Sequence, residues 1–92
     1  MQKQENPTYL KAITIRDISD VHSIKEDIKK EMILILRVTP LAQKDVEQLR
    51  KVVEELYSIA KTAGADIARL GEERVVITPP DVKIWKGVQD LK

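Results

Sequence analysis

The sequence predicts a two-layer α/β sandwich with a mixed sheet, because strand-like and helical segments alternate along its 92 residues. Apolar residues spaced three and four apart mark two helices, at 17–30 and at about 42–63. Short apolar runs mark strands at 9–15, 32–38, 65–70 and 74–78. The predicted order is β-α-β-α-β-β, and residues 82–85 are expected to add one more short edge strand.

The first half of the chain supplies a strand, a helix and a second strand. Asp17 is a candidate cap for the helix, and Lys29 and Lys30 suit its last turn. One helix face carries the apolar residues Ile18, Val21, Ile24 and Ile28. The run from Met32 to Val38 has almost no polar alternation, which predicts a strand buried on both faces.

The second half begins with a long helix after Thr39-Pro40, where proline suits the first turn. The predicted buried stripe consists of Val46, Leu49, Val53, Leu56, Ala60 and Ala63, with Val52 and Ile59 on its flank. Gly64 is expected to end this helix in the left-handed conformation. Gly71 is expected in the turn of a hairpin whose second strand stops at Pro79.

Two apolar strands of this kind predict an interface. If both helices lie on one side of the sheet, the other side is bare, and a bare apolar face of that size marks an association surface. We therefore expect a homodimer. In the alternative, the helices cover opposite faces and the monomer is complete. The expected organisation is a disordered segment at 1–8, one domain at 9–87 and a tail at 88–92.

Composition and motifs argue against catalysis, a cofactor or a metal site. Cysteine is absent, which fits a reducing cytoplasm. His22 is the only histidine, and the three glycines form no nucleotide-binding loop. Asp66 is expected to hold the loop between the second helix and the next strand rather than to act as an acid. No apolar run approaches the roughly 20 residues of a membrane span.

A series of short motifs resembles the SepF family of cell-division proteins. The motifs are Gly64-Ala65-Asp66-Ile67, Leu70-Gly71, Val75-Val76-Ile77-Thr78-Pro79 and Asp81-Val82, preceded by the basic and apolar helix 48–56. The resemblance covers about residues 28–84. It implies a small dimeric α/β sandwich that binds the C-terminal tail of the tubulin-like protein FtsZ during septum formation. It also implies a cytoplasmic location at the division site, on the inner side of the cell membrane.

Two departures from the family pattern are informative. Bacterial members often have a second glycine where this chain has Ala65, and a glycine in the second helix where this chain continues through Ser58. These differences suggest the archaeal branch. Family members reach the membrane through a separate N-terminal amphipathic helix, whereas residues 1–8 have no amphipathic pattern. We therefore expect the chain to be the core of a longer protein, with the anchor missing.

The resemblance places the tail-binding groove between the second helix and the strand after the glycine turn. The matching positions are Leu49, Arg50 and Val53 on the helix and Val75 and Ile77 on the strand. An acidic and apolar tail needs an apolar groove with a basic rim, which Arg50, Lys51 and Arg74 could supply. In the alternative reading the apolar residues are simply core and Arg50 is a solvated charge.

The main alternative function is that of an Alba-type nucleic-acid-binding dimer, whose elements follow the same order. A net charge of +1 and the acidic pair Glu72-Glu73 in the hairpin turn argue against it. A small-molecule regulatory domain is a third possibility, for which the sequence shows no ligand motif.

Overall fold

The computed structural model describes residues 7–85, which form four strands and three helices. Strand β1 is Leu10–Thr14, and a single 3₁₀ turn at Ile18–Asp20 leads into helix α1, Val21–Lys29. Strand β2 is Ile33–Arg37, followed by helices α2, Thr39–Lys44, and α3, Val46–Ala63. Strands β3, Asp66–Leu70, and β4, Arg74–Thr78, form a hairpin.

The four strands make one mixed sheet in the order β1-β2-β4-β3. Strand β1 runs parallel to β2, as a right-handed strand–helix–strand unit allows, and β4 is antiparallel to both of its neighbours. The predicted α/β class and the mixed sheet are confirmed, and so is the predicted order of strands and helices, except that one predicted helix is divided in two.

The core lies on one face of the sheet, beneath the helices. Leu34 and Leu36 of β2 pair with Ile77 and Val75 of β4, and all four side chains are at most 1% exposed. The same cluster contains buried residues of all three helices, at Ile24, Ile28, Leu41, Leu49, Val52, Leu56 and Ala60. Both long helices therefore cover the same face, and the alternative with helices on opposite faces is wrong.

The opposite face of the sheet is left without a covering layer in the described residues. Ile33 and Ile35 of β2 and Val76 of β4 are only half-buried there. Within the single chain these two strands are therefore buried on one face only, because the second face lacks a layer of its own.

The single long helix predicted at 42–63 is two helices that meet at Asp45. The backbone of Asp45 is extended, at φ −162° and ψ 101°, and its side chain accepts a hydrogen bond from the Gln48 amide. The buried residues of α3 are Leu49, Val52, Leu56 and Ala60, so Val52 is fully buried, whereas Val46 at the first position of the helix is 62% exposed. Ala63 is also exposed, and the predicted stripe is corrected at these two ends.

Both long helices end in the same hydrogen-bonding pattern, but with different residues. After α3, the Ala65 amide donates to Ala60 and the Gly64 amide to Lys61, with Gly64 at φ 74° as predicted. After α1, the Met32 amide donates to Asp27 and the Glu31 amide to Ile28, with Glu31 at φ 61°. The second helix end places a glutamate in the conformation that favours glycine.

Residues 82–85 do not form the predicted edge strand. The segment is held by side chains instead: Thr78 Oγ1 donates to the Val82 carbonyl at 2.6 Å, and the Ile84 amide donates to Asp66 Oδ2 at 2.9 Å. Asp66 thus ties the C-terminal segment to the start of β3, and it also accepts from the Ile67 amide where the chain enters that strand. Pro79, which is buried, follows the end of β4 as predicted. The expected segments 1–8 and 88–92 fall largely outside the described residues.

Candidate functional site

A groove of about 300 Å³ runs between the first half of α3 and the outer strand β3. Five of its six lining residues come from successive turns of the helix, and Arg69 closes it from the strand. The residues of this α3–β3 groove are Val46, Leu49, Arg50, Val53, Glu54 and Arg69. Because Arg69 belongs to the outer strand β3, the groove lies on the flank of α3 nearest that edge of the sheet.

The groove brings together three of the five predicted tail-binding residues. Leu49 forms its floor and is 7% exposed, Val53 is half-buried beside it, and Arg50 is exposed on the rim. Val75 and Ile77 do not line it. Their side chains are 0% and 1% exposed and form part of the core, so the predicted site is corrected at these two positions.

The charges around the groove are mixed, with a basic excess. Arg50 lies 3.6 Å from Glu47 in an exposed ion pair, which leaves the guanidinium accessible to solvent. Arg69 donates to the carbonyl of Glu72 at 3.2 Å, which holds the side chain alongside the hairpin turn. Two guanidinium groups and the single Glu54 carboxylate therefore face an apolar floor. Lys51 and Arg74, the other predicted rim residues, do not line the groove.

Sequence reasoning missed Val46, Glu54 and Arg69 as groove residues. The sequence pattern assigns Val46 to the buried stripe because the pattern continues through Asp45, whereas α3 begins at Val46 itself. The sequence does contain a signal for the start of a helix at this point, because Asp45 is followed three residues later by Gln48. Arg69 could have been found by alternation, because it shares its strand face with Ile67, which packs against the core.

A second groove of about 320 Å³ lies between α1 and the last turns of α3. Only helical residues line it: Lys25, Ile28, Lys29, Ser58, Ile59, Thr62 and Ala63. It is apolar with two lysines on its edge, so its chemistry resembles that of the α3–β3 groove, but no strand borders it.

The uncovered sheet face is a broad apolar surface. Its central residues are Ala12, Ile35, Val76 and Ala68, which are neighbours across the four strands. Leu10 and Leu70 extend it at the two edges and are 61% and 50% exposed. At one end, Arg37 lies directly opposite Arg74. A surface of this composition is unusual for a solvated sheet.

The part of the chain that the structure describes has few side chains suited to binding a metal ion. Within residues 7–85 there is no group of three or more histidine, cysteine or acidic side chains that could hold a metal ion. Within the same range, no helix combines the length and the apolar character needed to cross a bilayer.

Comparisons with known proteins agree on one family. The family model for the cell division protein SepF matches residues 10–84. A SepF-like protein from Archaeoglobus fulgidus has a TM-score of 0.82 at 24% identity, over 91% of this chain and 100% of that one. A SepF-like protein from Pyrococcus furiosus has a TM-score of 0.79 at 29% identity, over 90% and 100%.

A third solved structure carries a partner. The cell division protein SepF from Methanobrevibacter smithii, in complex with FtsZ-CTD, has a TM-score of 0.73 at 15% identity, over 86% of this chain and 99% of that one. At that identity the likeness shows the fold alone. A search of curated protein sequences found no match.

Fold and surface together define a small α/β module with a lined groove and an apolar sheet face, which is the architecture of a binding protein. With a family match over most of its length, this chain belongs to the SepF family of cell-division proteins.

Proposed function

We propose that this protein binds the C-terminal tail of FtsZ in the α3–β3 groove and so couples FtsZ to the division site. Two findings support the proposal: membership of the SepF family, and a family member from M. smithii solved in complex with FtsZ-CTD. The observation that carries it is that Leu49, Arg50 and Val53 line one groove beside an outer strand.

The groove has the chemistry that a disordered acidic and apolar tail requires. Leu49 and Val53 offer apolar surface, which is the main source of affinity when a flexible segment docks. Arg50 and Arg69 offer charge at the rim, where it contributes more to orientation and association rate than to affinity. Affinity should be moderate, because the tail loses conformational freedom on binding.

We also propose that the protein acts as a homodimer through its uncovered sheet face. Pairing two such faces would bury Ile35 and Val76 at the centre and Leu10 and Leu70 at the edges. The helices and the α3–β3 groove would remain on the outside of the dimer. Each dimer would then present two grooves, which raises its avidity for an FtsZ filament with many tails.

Attachment to the membrane is proposed on the family resemblance alone. It would use an N-terminal amphipathic helix, which residues 7–85 do not contain, as they begin with an exposed segment and β1. The proposed location is the cytoplasmic side of the membrane at the division site.

Calorimetry with a synthetic FtsZ tail peptide tests the tail-binding proposal. The wild type should bind and saturate, and Arg50→Glu should weaken binding because it reverses a rim charge. Its fold should be nearly unchanged, since an exposed ion pair contributes little to stability. Lys51→Glu is the matched control: it reverses the next charge on α3, which lies outside the groove.

Three outcomes separate the readings. Failure of the wild type to bind would overturn the tail-binding function. Equal weakening by Arg50→Glu and Lys51→Glu would show a general charge effect and move the site away from this groove. A salt-sensitive shift of duplex DNA at physiological salt would instead favour the Alba-type alternative.

A further inference from the structure

We propose that the bound tail adds to the sheet as a further strand along the free edge of β3. This inference rests on the proposed function and specifies how the tail is held. Strand β3 is an outermost strand, with β4 as its only neighbour in the described part of the sheet. An outermost strand presents unpaired backbone groups to any chain that can reach them.

One backbone hydrogen bond shows which residues of β4 direct their amides and carbonyls toward β2 and which direct them toward β3. The Val38 amide donates to the Glu73 carbonyl at 2.9 Å, one step beyond the β2–β4 register, so these two residues form a hydrogen-bonded pair. Because backbone groups alternate in direction along a strand, Val75 and Ile77 also face β2. The remaining residues of β4, which are Arg74, Val76 and Thr78, face β3.

The same alternation fixes the free edge of β3. The β3 partners of those three residues are Leu70, Ala68 and Asp66, so their backbone groups are used within the sheet. Ile67 and Arg69 therefore direct their amides and carbonyls outward. An independent contact agrees with this assignment: the Ile67 amide donates to Asp66 Oδ1 at 3.0 Å. The outward edge at Arg69 lies directly beside the α3–β3 groove.

Groove and edge are arranged so that one extended segment can use both. Arg69 contributes its side chain to the groove and its backbone to the edge. A strand paired with β3 would direct alternate side chains toward the helix layer, where Leu49 and Val53 offer apolar surface. Main-chain hydrogen bonds would then hold the tail while the groove selects every second side chain.

At the opposite edge of the sheet, an ion pair bridges the space between the outer strand β1 and the helix layer. On β1, the Lys11 side chain crosses to Asp27 of α1 with an Nζ–Oδ2 distance of 2.9 Å. This ion pair spans the space between edge and helix that is an open groove at β3. The groove between α1 and α3 is bordered by helices alone and offers no backbone edge.

Tail peptides with N-methyl groups on alternate residues test the inference without altering the protein. Two sets are made, one for each parity of the binding segment, and titrated against the wild type. The set whose methylated amides face β3 should lose about tenfold or more in affinity, because hydrogen bonds are lost and the methyl groups clash. The other set should bind about as well as the unmethylated peptide.

Each other outcome overturns strand addition in a distinguishable way. If both sets bind as tightly as the unmethylated peptide, or both lose affinity equally, the tail binds without pairing to β3, and the tail-binding function survives. If the unmethylated peptide does not bind, the proposed function itself fails.

Amide hydrogen exchange provides a second readout. The outward Arg69 amide should exchange quickly in the free protein and slow at least tenfold on saturation with the tail, because it gains a backbone partner. The Ala68 amide, which faces β4, is the internal control and should be slow in both states. An Arg69 amide already protected without peptide would mean that the edge is occupied, and would overturn the inference.

Discussion

At the scale of single residues, the two helix ends place two different residues, a glycine and a glutamate, in the same backbone conformation. Gly64 and Glu31 both have positive φ and both close the same pair of hydrogen bonds. Glycine adopts this conformation freely, whereas a residue with a Cβ meets steric resistance of about 1–2 kcal/mol. A Cβ at Gly64 would meet only Pro80 Cγ at 3.8 Å, an ordinary contact, so backbone strain decides the outcome there.

Substitutions at these two positions should therefore have opposite effects. Gly64→Ala should destabilise the protein by about 1 kcal/mol. Glu31→Gly should stabilise it by about 0.5 kcal/mol, because relief of strain exceeds the entropic cost of glycine. Chemical denaturation measures both, and Glu31→Ala, which keeps the strained backbone, serves as the control. A Glu31→Gly variant no more stable than Glu31→Ala would show that Glu31 is not strained.

Asp17 gives a prediction about pH. Its carboxylate accepts hydrogen bonds at the start of the 3₁₀ turn, and the Ser19 amide at 2.9 Å is the main reason that the pKa of Asp17 is lowered from 3.8. A group with a lowered pKa stabilises the fold above its unfolded value of 3.8 and loses that contribution as the pH falls through its folded value. Wild type should therefore melt above Asp17→Ala at neutral pH, because alanine offers no acceptor to the Ser19 amide, and the difference should shrink below pH 3.8. A difference that grows on acidification would contradict this assignment.

At the scale of elements, the sequence predicted the type and order of six segments, because hydrophobic periodicity records which faces are buried. It did not predict the break at Asp45, since the residues on both sides continue one helical pattern. It could not show how the second face of β2 and β4 is covered, because an apolar run has the same appearance whether that cover comes from the same chain or from another molecule. Three helix positions of the candidate site could be predicted, at Leu49, Arg50 and Val53, whereas the two predicted strand positions lie in the core. The sequence alone does not give the strand order, so it does not show that β3 rather than β4 borders the groove.

The helix break makes Asp45 the N-cap of α3, where its side chain accepts from the Gln48 amide at 3.1 Å. Asp45→Ala should cost about 1 kcal/mol, because the first turn of α3 loses this acceptor. Asp45→Asn should be nearly neutral, since asparagine is an equally good cap. Thermal or chemical unfolding compares the two, and equal stability of Asp45→Ala and wild type would show that the cap contributes nothing.

At the scale of the whole molecule, the two faces of the sheet have different roles in our account. One face forms the core with the helices, and the other is proposed to pair with a second copy of the chain. Ile35 lies at the centre of that second face, between Ala12 and Val76. Because it is half-buried and points away from the core, it can be changed with little damage to the fold.

Light scattering should find a dimer for the wild type at concentrations of roughly tens of micromolar, as for interfaces of standard size. Ile35→Lys should be a folded monomer, because it places a charge at the centre of the interface. A charge added on the outer surface, such as Ser58→Lys on α3, should leave the dimer intact. A monomeric wild type at these concentrations would contradict the dimer proposal.

Tail binding in the α3–β3 groove is the central claim, and backbone amide chemical shifts recorded during titration with the FtsZ tail peptide test it most directly. We expect the largest changes in amide chemical shift at Val46, Arg50, Val53 and Arg69. Lys25 and Thr62, in the groove between α1 and α3, should change little. Changes concentrated at Lys25 and Thr62, or on the sheet face around Ile35, would contradict it.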